Sequence, residues 1–143
     1  MEFKIDKDFA LFYGIMLGDG CLCLANRKNR RTKMKVITIT GSSIDDLPFF
    51  QKVVSPILLR FRGKETNIKF RKDCNAIEYN FSDEKLFDFI SRVGFPIGKK
   101  IDRLFIPKIF YDLNLVRYVV AGFFATDGII VLTKNPNKYY PRL

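Results

Sequence analysis

Residues Phe12 to Gly20 read FYGIMLGDG, an apolar run that ends on a carboxylate held between two glycines. A helix made only for packing has no need of that aspartate. Val120 to Gly128, VAGFFATDG, repeats the arrangement, and Asp127 lies 108 positions after Asp19. Each copy runs into an apolar, strand-like stretch, CLCL after the first and IIVL after the second. The C-terminus of a helix carries partial negative charge from its unpaired carbonyls, so an acid there is disfavoured unless a cation accompanies it. Two carboxylates with nearby carbonyl oxygens form a hard-oxygen site of the kind Mg²⁺ or Mn²⁺ accepts. Gly14 and Gly18 share one helix face at four-residue spacing, and Gly122 and Thr126 hold the equivalent places. Small residues let two helix backbones approach closely. The expectation is a helix pair joined at these four residues, with Asp19 and Asp127 brought together at one end as metal ligands.

The 143 residues suit one ordinary domain with a sizeable core. Fifteen phenylalanines and no tryptophan predict a Phe-rich interior. Lys and Arg outnumber Asp and Glu by 25 to 15, a net charge of +10 that draws nucleic acid or an anionic surface. The first residues, MEFKIDKDF, lack the apolar region of a signal peptide, and no apolar run approaches the ~20 residues of a membrane helix. An intracellular protein, in the cytoplasm or in an organelle if encoded there, is expected, and no basic amphipathic helix supports a membrane partner. Three cysteines, Cys21, Cys23 and Cys74, offer neither a disulfide framework nor zinc-ligand spacing, and the absence of histidine excludes imidazole acid–base chemistry. Cys21 and Cys23 read as small strand residues.

Along the chain, Asp8 to Gly18 reads as a helix capped by Asp6 or Asp8 and closed by Gly20. CLCLAN alternates, NRKNRRTK is a basic hairpin connection, and Met34 to Thr40 is β-branched. Ser43 and Asp46 resemble a capping box opening a long helix to Gly63, which Pro56 should kink or divide. Strands follow near Thr66–Lys72 and Ala76–Phe81, joined by the turn DCN; Ser82 then caps a helix stopped by Gly94. Pro107 opens a short helix, Leu115 to Thr126 forms another, and NPNKYYPRL shows no periodicity. Hairpins covered by helices indicate an α+β fold with an antiparallel four-stranded sheet.

Strand alternation assigns two faces to that sheet. Ile68, Phe70, Ile77, Tyr79 and Phe81 are expected inside, with Asn67, Lys69, Arg71, Glu78 and Asn80 outside. Those outward types match base edges in the major groove, which a β-ribbon can enter. Thr38 and Thr40 extend the face, while Arg27, Lys28, Arg30, Arg31 and Lys33 suit phosphates. A nucleic acid is the expected partner of this face.

The two quoted stretches resemble the nine-residue motif of the LAGLIDADG homing endonucleases. Glycines stand at its third and ninth positions (Gly14 and Gly20, Gly122 and Gly128), and the acid at its eighth is Asp19, then Asp127. The sixth positions, Leu17 and Ala125, carry neither acid of the name. GKKIDRLFIP also resembles the linker of two-motif members. The resemblance implies a first αββαββα unit over residues 1–95, a linker over 96–114, and a second motif helix with the first strand of an incomplete second unit over 115–143. It implies a hydrolase, an intron- or intein-associated nuclease that cleaves a long DNA site with divalent metal held by Asp19 and Asp127. A basic residue near the metal is also implied, with Lys99 or Lys100 as its counterpart by location. The 15 residues after Gly128 leave room for one strand and a tail, as in a truncated frame, a split enzyme or an excerpt. A missing second half or self-association would then complete the site. The competing reading is a non-catalytic binder on the same scaffold, an intron-RNA maturase or a DNA-binding regulator.

Overall fold

The computed structural model describes residues 2–100, 103–127, 131–135 and 138–142, with the backbone alone at 127 and beyond. Helix α1 (Lys7–Asp19) opens on Asp6, whose carboxylate accepts from the Phe9 N–H at 3.0 Å. Burial alone would raise the Asp6 carboxyl, but hydrogen bonds from Arg60 and from the Phe9 backbone outweigh it and hold the group below the usual carboxylate range. Apolar residues occupy every side of α1, so Phe9, Phe12, Tyr13, Ile15 and Met16 are all fully buried. A helix apolar all round must be covered all round. The sheet covers one side of α1 and helix α6 (Val116–Asp127) the other.

The four-stranded sheet joins β1 (Gly20–Ala25), β2 (Met34–Ser42), β3 (Lys69–Arg71) and β4 (Ala76–Phe81) in the order β1-β2-β4-β3, all pairs antiparallel. This is the α+β architecture expected from the hairpin pattern. Leu22, Ile37, Ile39, Ile77 and Tyr79 are buried on the helix-covered face of the sheet, Tyr79 stacked on Phe50. Around them Phe9 meets the rings of Phe61, Phe89 and Phe110 at 4.8–6.2 Å between centroids, the Phe-rich interior the composition predicts. A short parallel contact, Leu22 with Ile97, lays the segment after helix α4 (Glu84–Val93) along the outer edge of β1.

Several local expectations need correction. The helix after β2 begins at Leu47, not Ser43: residues 43–46 form a turn in which the Ser42 hydroxyl accepts from the Ile44 and Asp45 N–H groups, at 3.2 and 3.3 Å. The Asp46 carboxylate accepts from the Ser42 N–H at 2.6 Å and so closes this turn, and among the described residues no side-chain hydrogen bond caps the helix that follows. Pro56 does divide this helix: α2 (Leu47–Phe49) passes into a π-turn (Phe50–Val54) before α3 (Ser55–Arg62). Proline lacks the N–H for the ordinary i−4 bond and crowds that carbonyl, and a widened turn relieves both. Asp83, not Ser82, caps α4, accepting from Leu86 N–H at 3.1 Å, while the Ser82 hydroxyl donates to Lys35 O. Phe70 is 61% exposed rather than internal, since β3 is a three-residue edge strand beyond the helical cover. The C-terminal stretch read as aperiodic contains a strand, β6 (Lys138–Arg142), paired antiparallel with β5 (Val131–Asn135). Pro107 opens α5 (Lys108–Asp112) as expected.

The helix pair α1–α6 is closed by two glycines. A Cβ on Gly14 would stand 2.0 Å from Val119 O, and one on Gly122 would stand 2.1 Å from Leu11 O. Both obstructions are backbone, which cannot rotate aside. We expect Gly14→Ala and Gly122→Ala each to destabilise the fold by an overpacking amount, ~1–3 kcal/mol, in denaturant titrations. An unchanged midpoint for either would contradict the contact. Tyr13 makes the opposite case. Its hydroxyl is buried without a hydrogen-bond partner among the described residues, and burial drives its ionisation well above the ordinary tyrosine value. Since an unsatisfied buried hydroxyl costs on the order of 1–3 kcal/mol, Tyr13→Phe should leave stability unchanged or raise it, and a clear loss would reveal a partner.

Candidate metal and nucleic-acid site

The contacts across α1 and α6 repeat with the sequence. Gly14 touches Val119 and Phe123, and Gly122 touches Leu11 and Ile15. Val119 follows Leu11, Gly122 follows Gly14 and Phe123 follows Ile15 by 108 positions each, the separation of Asp19 and Asp127. Nearer the helix starts, the Lys7 ammonium lies 5.7 Å from the centre of the Tyr118 ring. Contacts that advance in step along both helices make the pair parallel. The last residues, Asp19 and Asp127, therefore leave the pair at the same end. Asp19 is half-buried there, and the side chain of Asp127 lies outside the described residues. Of the other expected interface residues, Gly18 gives its carbonyl to Lys100, and the Thr126 hydroxyl turns back to Gly122 O and Phe123 O at 3.2 and 3.1 Å.

Lys100 is the best-placed cation at this end. Its ammonium donates to Met16 O, Leu17 O and Gly18 O at 3.0, 2.9 and 2.9 Å. These are C-terminal carbonyls of α1, where the helix concentrates negative potential. The linker delivers it: Gly98 N–H donates to Leu22 O at 2.8 Å, and Gly98 takes a left-handed φ of 85° that turns the chain toward the helix end. Lys99 is exposed, and its carbonyl accepts from the Arg103 guanidinium. The two lysines left open by the sequence are thus separated by geometry.

The outer face of the sheet adjoins the same end. The Thr40 hydroxyl approaches Asp19 O at 3.5 Å, and Thr40 pairs with Glu78, which pairs with Lys69. Thr38 pairs with Cys21 on one side and Asn80 on the other. Asn67, Lys69, Arg71 and Asn80 are exposed, as alternation requires. Glu78 is not: it is 8% exposed and holds Arg71, Nη2 to Oε2, at 3.2 Å. This burial and its ion pair with a residue two strand positions away are features alternation alone does not reveal. Lys28, Arg30, Arg31 and Lys33 are exposed between β1 and β2, whereas Arg27 lies 3.8 Å from Glu84. Cys21 and Cys23 are half-buried on β1, and Cys74 is exposed.

Among the described residues, no three His, Cys, Asp or Glu side chains gather as a metal cluster. The donors at the helix end are one described carboxylate and backbone carbonyls, all hard oxygens, and the carbonyls already attract an ammonium. Their chemistry suits a hard divalent cation. Lys100→Met should cost about 1–3 kcal/mol without any metal, as expected for lost charge-assisted hydrogen bonds, while Lys99→Met should stay within about 0.5 kcal/mol. Equal effects in thermal melts would contradict this distinction.

No protein-family model matches the sequence, and no curated protein matches it. Solved structures do. Mesophilic variants of the homing endonuclease I-DmoI superpose with a TM-score of 0.56 at 20% identity, covering 84% of this chain and 61% of that one. I-DmoI in complex with DNA and Ca gives 0.56 and 20%, over 84% and 56%. The K262A mutant of I-SmaMI gives 0.55 at 11% identity, over 96% and 65%. The chain thus spans about three-fifths of the length of the structures it matches. The fold implied by the paired motifs is the fold found: this chain is built on the homing-endonuclease scaffold.

Proposed function

We propose that the chain is a LAGLIDADG-type protein that grips double-stranded DNA on the outer face of its sheet and carries half or more of a divalent-metal nuclease site. The observation that carries this reading is the parallel α1–α6 pair, which ends on Asp19 and Asp127 beside Lys100 and the corner of the sheet's outer face. The Ca- and Mn-containing DNA complexes of I-DmoI support the choice of ion and substrate. A divalent cation, when bound, supplies Lewis-acid charge to a phosphoryl oxygen. Asp19 and Asp127 would hold it. Lys100 keeps positive charge at the helix end and orients the linker. Lys28, Arg30, Arg31 and Lys33 take up phosphates, and Asn67, Lys69, Arg71, Thr38, Thr40 and Asn80 face the bases. Asp19 binds rather than reads, so its role and the grip are separable.

Hydrolysis needs the scissile phosphate held in near-attack geometry, and a displacement of ~1 Å can cost on the order of a hundredfold in rate. The grip on DNA is therefore tested first, by duplex binding across a salt series. Affinity should fall steeply with salt, and replacing Arg30 and Arg31 with Ala should weaken binding on all sequences and make that slope shallower by about 2. Mg²⁺-dependent nicking of a selected site should then be abolished by Asp19→Asn while binding persists. Nicking that survives Asp19→Asn would overturn the metal role. Binding of intron RNA in preference to duplex DNA, without nicking, would instead favour a non-catalytic binder.

A further inference from the structure

We infer that Glu78 is a positioning residue for Arg71, fixing the guanidinium that determines base preference at one place in the bound site. The inference rests on the proposed nucleic-acid face and adds a division of labour within it. Glu78 stands on β4 between Thr40 of β2 and Lys69 of β3, so its carboxylate is on the same face as both. It is nevertheless buried, with its side chain 11% exposed, while that of Arg71 is 59% exposed. A carboxylate so covered cannot present itself to a base edge. It can hold something that does.

The ion pair joins Glu78 Oε2 to Arg71 Nη2 at 3.2 Å. Arg71 pairs with Ala76, two positions before Glu78 on the same face, so the contact is diagonal and draws the arginine back over the sheet. Lys69 stands directly opposite Glu78, yet the pair is made with Arg71. That choice has chemical sense. Arginine offers five N–H donors in a rigid fork, so one edge can be anchored while another remains for an acceptor pair such as guanine O6 and N7. A long exposed arginine without an anchor would have to order its rotamers on binding and would spend as much time on phosphates as on bases. The buried carboxylate removes both alternatives: it limits the side chain's conformations and offsets the charge that phosphates attract. The same arrangement explains why a basic face carries one inaccessible acid.

The test has two arms. In the DNA-free protein, ¹⁵N relaxation at Arg71 Nε should show an ordered guanidinium that becomes mobile in Glu78→Gln. Equal order in both proteins overturns the inference. In the second arm, sites are selected from a randomised duplex DNA library. Arg71→Ala should remove preference at one base pair, by roughly 10- to 100-fold. Glu78→Gln should weaken the preference at that same base pair severalfold while binding to unselected DNA becomes tighter. Arg71→Lys should keep affinity and lose preference. In the Arg71→Ala background, Glu78→Gln should change nothing further at that base pair. Preference retained in Glu78→Gln, or an equal effect of Glu78→Gln with and without Arg71, overturns the inference. Absence of salt-sensitive binding by the unaltered protein overturns the proposed function instead, and the relaxation arm still decides whether Glu78 positions Arg71.

Discussion

The backbone contact between α1 and α6 is the constraint on which the other features depend. At Gly14 and Gly122 there is no room for even a methyl group, and the obstructing atoms are carbonyl oxygens and amide nitrogens. Helices separated by ordinary side chains could rotate or slide without penalty at any one place. Here each glycine is set against two residues of the partner helix, and the two sets correspond by one constant offset in sequence. A self-complementary contact of this kind fixes both rotation and register. Once it is fixed, the final residues of both helices have no freedom to separate.

The consequence at that end is electrostatic. Two helices finishing together combine two sets of unpaired carbonyls, and each finishes on an acid. Such concentration of negative potential would oppose the packing that creates it. Lys100 supplies compensation on α1, donating to three of its C-terminal carbonyls. A cation is thus part of the fold before any metal is considered. It also connects the linker to the helix more than eighty residues earlier, through a turn that Gly98 makes possible.

The sequence made the fold legible where local pattern and tertiary role coincide. The repeated motif of α1 and α6, the alternation of β1, β2 and β4, and the glycines at Gly14 and Gly122 all record their surroundings directly. The repeat carried more than either copy, because matching offsets imply matching partners. Other features depend on what lies across the sheet or far along the chain. Alternation put Glu78 on the outer face but revealed neither its burial nor its ion pair with Arg71. It placed Phe70 on the core side, but the core ends before β3 does. Lys99 and Lys100 are equivalent in composition and differ only through the turn that precedes them. Ser82 and Ser42 show a finer limit: serine, aspartate and their neighbours can each cap, and tertiary acceptors such as Lys35 O decide which does.

The surface cations differ in whether an acid holds them. Arg27 lies near Glu84, Lys35 binds Asp88 at 2.6 Å and Arg71 binds Glu78, all at or beside the sheet. Lys28, Arg30, Arg31 and Lys33, in the connection between β1 and β2, have no acid at ion-pair distance among the described residues. If net charge alone mattered, pairing would simply waste some of the +10. A phosphate backbone is a uniform ladder of charge, and flexible solvated cations meet it well wherever they fall. A base edge demands a donor at one position and orientation, which a loosely held cation cannot keep. Pairing with an acid lowers the attraction to any phosphate but holds the donor still. On the proposed nucleic-acid face, loose cations in the β1–β2 loop and an anchored arginine at the opposite end of β2 would answer two different recognition problems.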